Sequence, residues 1–140
     1  MTEHSTSAGA LPISDLVGDP VVRIDAGASL YEVADALAAA GVSALVVGEG
    51  DHPTGIVTER DLAGALADRR DPAEARAGDI AHTTLVWCDQ EATVAEVAGE
   101  MMSRYVRHVL VEEGGCLVGI VSARDLLGIY ASGDVEATAG

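Results

Sequence analysis

The chain contains no lysine and no phenylalanine, and it is poor in basic and aromatic residues. Its 140 residues include 8 Arg against 23 Asp and Glu, which gives a formal net charge of −15. This charge disfavours non-specific binding to nucleic acid or to anionic membranes, because both partners attract clustered positive charge. Aromatic residues make up only 3% of the chain, so the core must be built from Val, Leu, Ile, Ala and Met.

Membrane, secretion, metal and enzyme signals are also missing. No segment approaches the roughly 20 apolar residues of a membrane-spanning helix, and residues 1–10 lack the basic start and apolar run of a signal peptide, so we expect a cytoplasmic protein. Cys88 and Cys116 form no CxxC pair and no metal spacing, and we expect both to be buried in a reducing compartment. The chain has no glycine-rich phosphate loop and no GxSxG, and Ser122 has no base near it in sequence. We therefore predict no metal site, no catalytic residue and no enzyme activity.

The chain does contain an internal repeat with an offset of 64 residues. Residues 55–62 read Gly-Ile-Val-Thr-Glu-Arg-Asp-Leu, and residues 119–126 read Gly-Ile-Val-Ser-Ala-Arg-Asp-Leu. A fixed period indicates that each copy is one supersecondary unit. A copy of roughly 60 residues would be marginally stable alone. We therefore expect an α/β fold in which the two copies pack as a pseudo-twofold module.

Each copy predicts the same order of elements, β-α-β-β-α. Capping boxes formed by Ser29 with Glu32 and by Thr93 with Glu96 mark the start of the first helix of each copy. The strands are predicted at residues 21–24, 42–47, 54–57, 85–87, 106–111 and 117–121. The later helix of each copy is predicted from Thr58 to about Arg70 and from Ser122 to about Ser132. The predicted division is a disordered tail at 1–10, a first repeat at 11–70, a linker at 71–76 broken by Pro72, a second repeat at 77–133 and a disordered tail at 134–140.

The repeated motif lies where a strand ends and a helix begins. Thr58 or Ser122 stands at the junction, and Asp61 or Asp125 follows three residues later. One interpretation is structural: the hydroxyl caps the helix and the Asp completes a capping box. The other is half of a nucleoside-phosphate site, with phosphate at the hydroxyl and helix N-terminus and the ribose diol at the carboxylate. The sequence does not choose between them.

The duplicated unit with this motif resembles a pair of cystathionine-β-synthase (CBS) domains over about residues 11–133. The segments Val42-Ser43-Ala44-Leu45 and Val106-Arg107-His108-Val109 match the starts of the corresponding strands in that family. The resemblance implies two clefts that bind adenosine compounds such as AMP, ADP, ATP or S-adenosylmethionine. It also implies a regulatory homodimer that signals ligand or energy status to a partner protein or through its own assembly. The alternative is a structural or protein-interaction module with no physiological ligand.

The resemblance also assigns roles to individual residues. In one cleft Asp125 would hold ribose and Ser122 the phosphate. Ile120 would pack on the base, and Arg107 and His108 would supply positive charge. The other repeat would contribute Val42, Ser43 and Val21. In the second cleft the same roles would fall to Asp61, Thr58 and Ile56, opposite Val106 and Leu85. Ser43 and Ala44 stand where the second repeat has its basic pair, so we expect weaker phosphate binding in the Asp61 cleft.

A few other side chains receive structural interpretations. His4, His52 and His82 fall in the tail, a turn and the region between the repeats, and we predict that they are solvated. His108 is either a phosphate partner or a strand-end histidine. Tyr105 is interpreted as a partly buried packing residue or part of a dimer face.

Overall fold

The computed structural model describes residues 8–16 and 21–139, without the side chains of residues 132–139. Two short 3-10 helices, Ala8–Ala10 and Ile13–Leu16, come first. The remaining elements in chain order are β1 (Arg23–Ile24), α1 (Leu30–Ala40), β2 (Ala44–Val47), β3 (Gly55–Thr58), α2 (Glu59–Ala67), α3 (Ala77–Ile80), β4 (Trp87–Asp89), α4 (Val94–Arg104), β5 (His108–Glu113), β6 (Cys116–Ser122) and α5 (Ala123–Ala139). They form two compact units, which we call the first unit (residues 21–85) and the second unit (residues 8–16 and 86–139).

Each unit contains one three-stranded sheet, and the two sheets have the same topology. β1 runs parallel to β2, and β2 runs antiparallel to β3. β4, β5 and β6 repeat this arrangement. Arg23 pairs with Val46 in the first sheet, and Trp87 pairs with Leu110 in the second. The register therefore repeats at the predicted offset, and the predicted α/β fold class is confirmed.

The first helix of each repeat begins at the predicted capping box. The Ser29 hydroxyl accepts a hydrogen bond from the Glu32 N–H at 3.2 Å, and the Glu32 carboxylate accepts one from the Ser29 N–H at 2.8 Å. Thr93 and Glu96 form the same pair of bonds at 3.1 and 2.8 Å. The apolar stripe of each helix faces its core, and its buried members are Leu30, Val33 and Leu37 in α1 and Val94, Val97 and Met101 in α4.

The segment that opens each repeat belongs to the unit of the other repeat. Ile13 is fully buried in the core of the second unit, and its N–H donates to the carbonyl of Ala92 at 2.7 Å. Ala77, which stands 64 residues later, is fully buried in the first unit and donates in the same way to Ala28 at 2.8 Å. The sequence did not predict this exchange, nor the short helix α3 that carries Ala77.

Several predicted boundaries are wrong. α2 ends at Ala67 rather than near Arg70, because the chain turns into the left-handed region at Arg69, where φ is 65°. α5 continues to Ala139 instead of ending near Ser132, so residues 134–139 are helical rather than a disordered tail; this stretch contains Glu and Ala, which favour helix, and no proline. Ala8–Ala10 is also ordered, whereas the rest of the predicted N-terminal tail, including His4, and Gly140 lie outside the described residues. None of the described helices is long and apolar enough to cross a membrane.

The two cysteines differ in environment. Cys116 begins β6 beside a turn and is exposed, so the prediction that it is buried is wrong. Cys88 lies in β4, pairs with Val111 and is half-buried. Burial, with the neighbouring carboxylates of Asp89 and Glu112, raises the pKa of the Cys88 thiol from 9.0 to about 11. Cys88 is therefore a protonated packing residue at neutral pH.

Candidate functional site

The first-repeat motif forms a closed set of hydrogen bonds at the start of α2. Asp61 Oδ2 accepts from the Thr58 N–H at 2.8 Å and from the Thr58 hydroxyl at 2.9 Å. The Asp61 N–H in turn donates to Thr58 Oγ1 at 3.1 Å. The structural interpretation of this motif, a capping box, is thus confirmed. The Asp61 side chain is only 11% exposed.

The second-repeat motif has the same backbone but a more open carboxylate. Asp125 Oδ2 accepts from the Ser122 N–H at 2.9 Å, and the Asp125 N–H donates to Ser122 Oγ at 3.1 Å. Asp125 is exposed. Among the described residues, no hydrogen bond or ion pair reaches its other oxygen, Oδ1.

Each motif lies beside the start of the middle strand of its own sheet. The carbonyl of Ser43 accepts the Glu59 N–H at 3.0 Å, and the carbonyl of Arg107 accepts the Ala123 N–H at 2.8 Å. In the second unit His108 also pairs with Ser122 across the β5–β6 ladder. The structure therefore brings the predicted basic pair next to the second motif, and Ser43 next to the first.

The other predicted lining residues are divided between the two units. Ile56 is buried in β3, whereas Ile120 in β6 is half-buried. Half-buried positions belonging to the first unit are Val21, Val42 and Leu85, and Val106 is half-buried in the second. The predicted sharing of each cleft by residues of both repeats stays a prediction.

His82 is a site residue that the sequence did not identify. We expected a solvated histidine, and its side chain is indeed 66% exposed. Its Nε2, however, lies 2.6 Å from Asp61 Oδ1. The repeat gives no hint of this pair, because the position 64 residues before His82 is Gly18. His82 reaches Asp61 because residues 77–82 pack in the first unit.

A surface groove of about 420 Å³ lies beside this pair, between α2 and α3. Its lining is of mixed charge and consists of Arg60, Asp61, Gly64, Ala65, Asp68, Arg70, Asp79, Ile80 and His82. Arg70 Nη2 and Asp79 Oδ2 are 3.7 Å apart across it. In the part of the chain that the structure describes, no three His, Cys, Asp or Glu side chains are grouped as metal ligands.

The comparisons with known proteins identify the family. The family model of the CBS domain matches residues 13–68 and 77–132. The chain therefore belongs to the CBS-domain family and carries a tandem pair of these domains, one for each copy of the repeat.

Individual relatives agree with this assignment. The solved structure of a CBS-domain-containing protein from Agrobacterium tumefaciens has a TM-score of 0.77 and 32% identity, over 86% of this chain and 93% of its own. A CBS domain protein from Pyrobaculum aerophilum, solved in complex with AMP, has a TM-score of 0.75 and 30% identity, over 87% of this chain and 99% of its own. Hypoxic response protein 1 of Mycobacterium tuberculosis is 34% identical over 82 residues, which are 58% of this chain and 57% of that protein. The chain spans about half the length of the curated relatives it matches.

Proposed function

We propose that this CBS pair is a regulatory module that binds an adenosine compound of the AMP, ADP, ATP or S-adenosylmethionine class. Ligand binding would shift the population of its conformations and so signal to a partner protein or through its own assembly. The module performs no catalysis in this proposal. Its cytoplasmic location remains a prediction from the sequence.

The observation that carries the proposal is the state of Asp125. One of its oxygens is fixed by the Ser122 N–H, which orients the carboxylate, and the residue is exposed. A carboxylate held in this way can accept hydrogen bonds from both hydroxyls of a ribose diol. Ser122 and Arg107 lie close by to receive phosphate, since a hydroxyl and a guanidinium are both suitable donors to it. The AMP complex of the Pyrobaculum relative supports an adenosine ligand in a fold of this kind.

Calorimetric titration with AMP, ATP, S-adenosylmethionine and NAD tests the proposal. We expect measurable heat and a raised melting temperature with at least one of them, because a ligand that binds only the folded state stabilises it. Absence of both signals with every compound would rule the proposal out.

The rival function is a protein-interaction module without a physiological ligand. The net charge of −15 favours this function, because it opposes polyphosphate binding. Exposed apolar side chains in α4, at the C-terminal end of α4 and in α5 favour it as well. These are Met102, Tyr105 and Leu127, which are 78%, 94% and 68% exposed. A homodimer through this surface would bury them in either function. Sedimentation with and without AMP separates a constitutive dimer from an assembly that responds to ligand.

A further inference from the structure

We propose that the His82 imidazole occupies the position of a ligand hydroxyl at Asp61. The chain then offers one carboxylate that is open to ribose, Asp125, and one that its own histidine blocks, Asp61. This inference rests on the proposed function, because it specifies which of the two motifs takes the adenosine compound. It makes His82 a specificity-determining residue of the first unit.

The hydrogen-bonding capacity of Asp61 is nearly used up. An ionised carboxylate has about four acceptor positions. Two donors from Thr58 reach Oδ2, at 2.8 and 2.9 Å, and His82 Nε2 lies 2.6 Å from Oδ1. A ribose diol needs two acceptor positions at once, and the 11% exposure of the Asp61 side chain leaves little surface for it. A diol can bind here only after the imidazole has moved away.

The backbone of His82 is held in place independently of its side chain. Its N–H donates to the Ile56 carbonyl at 2.8 Å, and its carbonyl accepts the Ile56 N–H at 3.0 Å. These two bonds add residue 82 to the edge of β3 as an isolated antiparallel bridge. The imidazole is therefore presented to Asp61 by a fixed backbone, and removal of the side chain alone leaves both backbone bonds in place.

The charges around the pair also favour the closed state. Arg60 and Arg70 line the same groove, but Asp68 and Asp79 accompany them, and Arg70 already faces Asp79 at 3.7 Å. Ser43 and Ala44 stand near this motif in place of a basic pair. A ligand phosphate would thus gain little here to offset the loss of the contact between His82 and Asp61.

The repeat places no histidine at the corresponding position beside the second motif. The residue one repeat before His82 is Gly18, which has no side chain to donate. Residues 17–20 lie outside the described structure, so this contrast rests on the sequence. A ligand that binds at Asp61 must first displace this imidazole, so Asp61 should fill only at higher ligand concentrations than Asp125.

Calorimetric titration with AMP on the full chain tests the inference through the number of sites. We expect one site per chain in the wild type, two in His82→Ala, and one again in the double variant His82→Ala with Asp61→Ala. His52→Ala is the matched control, because it removes an exposed histidine from a turn of the same unit, and it should keep one site. Circular dichroism and thermal unfolding confirm that each variant is folded.

The outcomes separate this inference from the proposed function. If the wild type and His82→Ala both bind one AMP, His82 does not close a site, and the proposed function stands alone. A loss of affinity in His82→Ala would mean that the imidazole contacts the ligand, which overturns the inference. Binding by His82→Ala only, lost again in the double variant, would confirm that His82 blocks Asp61 but would overturn the inference that Asp125 is the open site. Absence of AMP binding in both proteins would overturn this inference, and the titrations with the other adenosine compounds would then decide the proposed function.

Discussion

Tyr105 adopts, at the end of α4, the left-handed backbone conformation that Gly41 adopts at the end of α1. The φ and ψ angles are 57° and 40° for Tyr105, and 66° and 32° for Gly41. Each N–H closes the last helical turn, onto Met101 and Leu37 respectively. Glycine enters this region freely, whereas a side chain there costs about 1–2 kcal/mol. The Tyr105 ring is 94% exposed, so its burial within the chain does not offset that cost.

This pair predicts opposite effects for two substitutions. Tyr105→Gly should raise the free energy of unfolding by about 1 kcal/mol, and Gly41→Ala should lower it by about the same amount. A β-carbon at Gly41 meets nothing within 4 Å, so that loss would be conformational and not steric. Urea unfolding at a protein concentration where the chain is monomeric measures both changes. A destabilised Tyr105→Gly would show that the ring makes a stabilising contact.

Gly55 is required by the close approach of residue 82. A β-carbon at Gly55 would lie 2.8 Å from the His82 carbonyl oxygen and 3.1 Å from the Ala81 β-carbon. Gly55→Ala should therefore push the 81–82 segment away from β3 and cost about 1–3 kcal/mol in the free energy of unfolding.

The matched control for this substitution is Gly64→Ala. Gly64 lies inside α2, and a β-carbon there meets nothing within 4 Å. This change should be neutral or stabilise the protein by up to about 1 kcal/mol, because alanine favours helix over glycine. Equal and large losses in both variants would contradict the proposed role of Gly55.

The two motif aspartates should differ in their effect on ligand binding. Asp125→Ala removes the open carboxylate and should weaken AMP binding by roughly tenfold or more. Asp61→Ala removes a carboxylate already engaged by Thr58 and His82, and should weaken binding much less. Titration calorimetry on each folded variant measures both. Equal losses would show that the asymmetry between the repeats is misplaced.

The raised pKa of the Cys88 thiol predicts that the folded protein loses stability at alkaline pH. The pKa of its thiol is raised from 9.0 to about 11 in the folded chain, chiefly by burial. Above pH 9 the unfolded chain loses this proton and the folded chain keeps it, so the stabilising contribution is complete below pH 9 and is lost as the pH rises toward 11. Cys88→Ser should flatten that part of the stability curve, relative to Cys116→Ser.

The same raised pKa predicts that the Cys88 thiol reacts slowly with alkylating reagents. Only about one thiol in a thousand is ionised at pH 8 when the pKa is about 11. Iodoacetamide should therefore modify the Cys116→Ser variant, which retains Cys88, much more slowly than unfolded controls. Rapid modification of that variant at pH 8 would contradict the environment described for Cys88.

Much of the scaffold could be predicted from local signals. The capping boxes at Ser29 and Thr93 depend on residues three positions apart, and the alternation of apolar strands with amphipathic helices repeats at a fixed offset. Both copies therefore contain the expected order of strands and longer helices, including the hydroxyl and aspartate at the start of α2 and α5. These features depend on neighbours in sequence, which a single chain displays directly.

The position of His82 could not be predicted in this way. Ile13 and Ala77 hold equivalent positions 64 residues apart, and both are apolar. The repeat period does not indicate which sheet each segment joins, so the contact between His82 and Asp61 could not be predicted from the sequence. The choice depends on the path and length of the connecting chain, which is a tertiary property.

The exchange of opening segments has a consequence for how this protein can be divided. A fragment cut at the repeat boundary, such as residues 11–70, would carry Ile13 without its core and would lack Ala77, which fills its own. The boundaries of each sequence repeat therefore differ from the boundaries of each folded unit by one opening segment. A copy excised at the repeat boundary would leave a hole in its own interior, whereas residues 21–85 include Ala77 and form one compact unit.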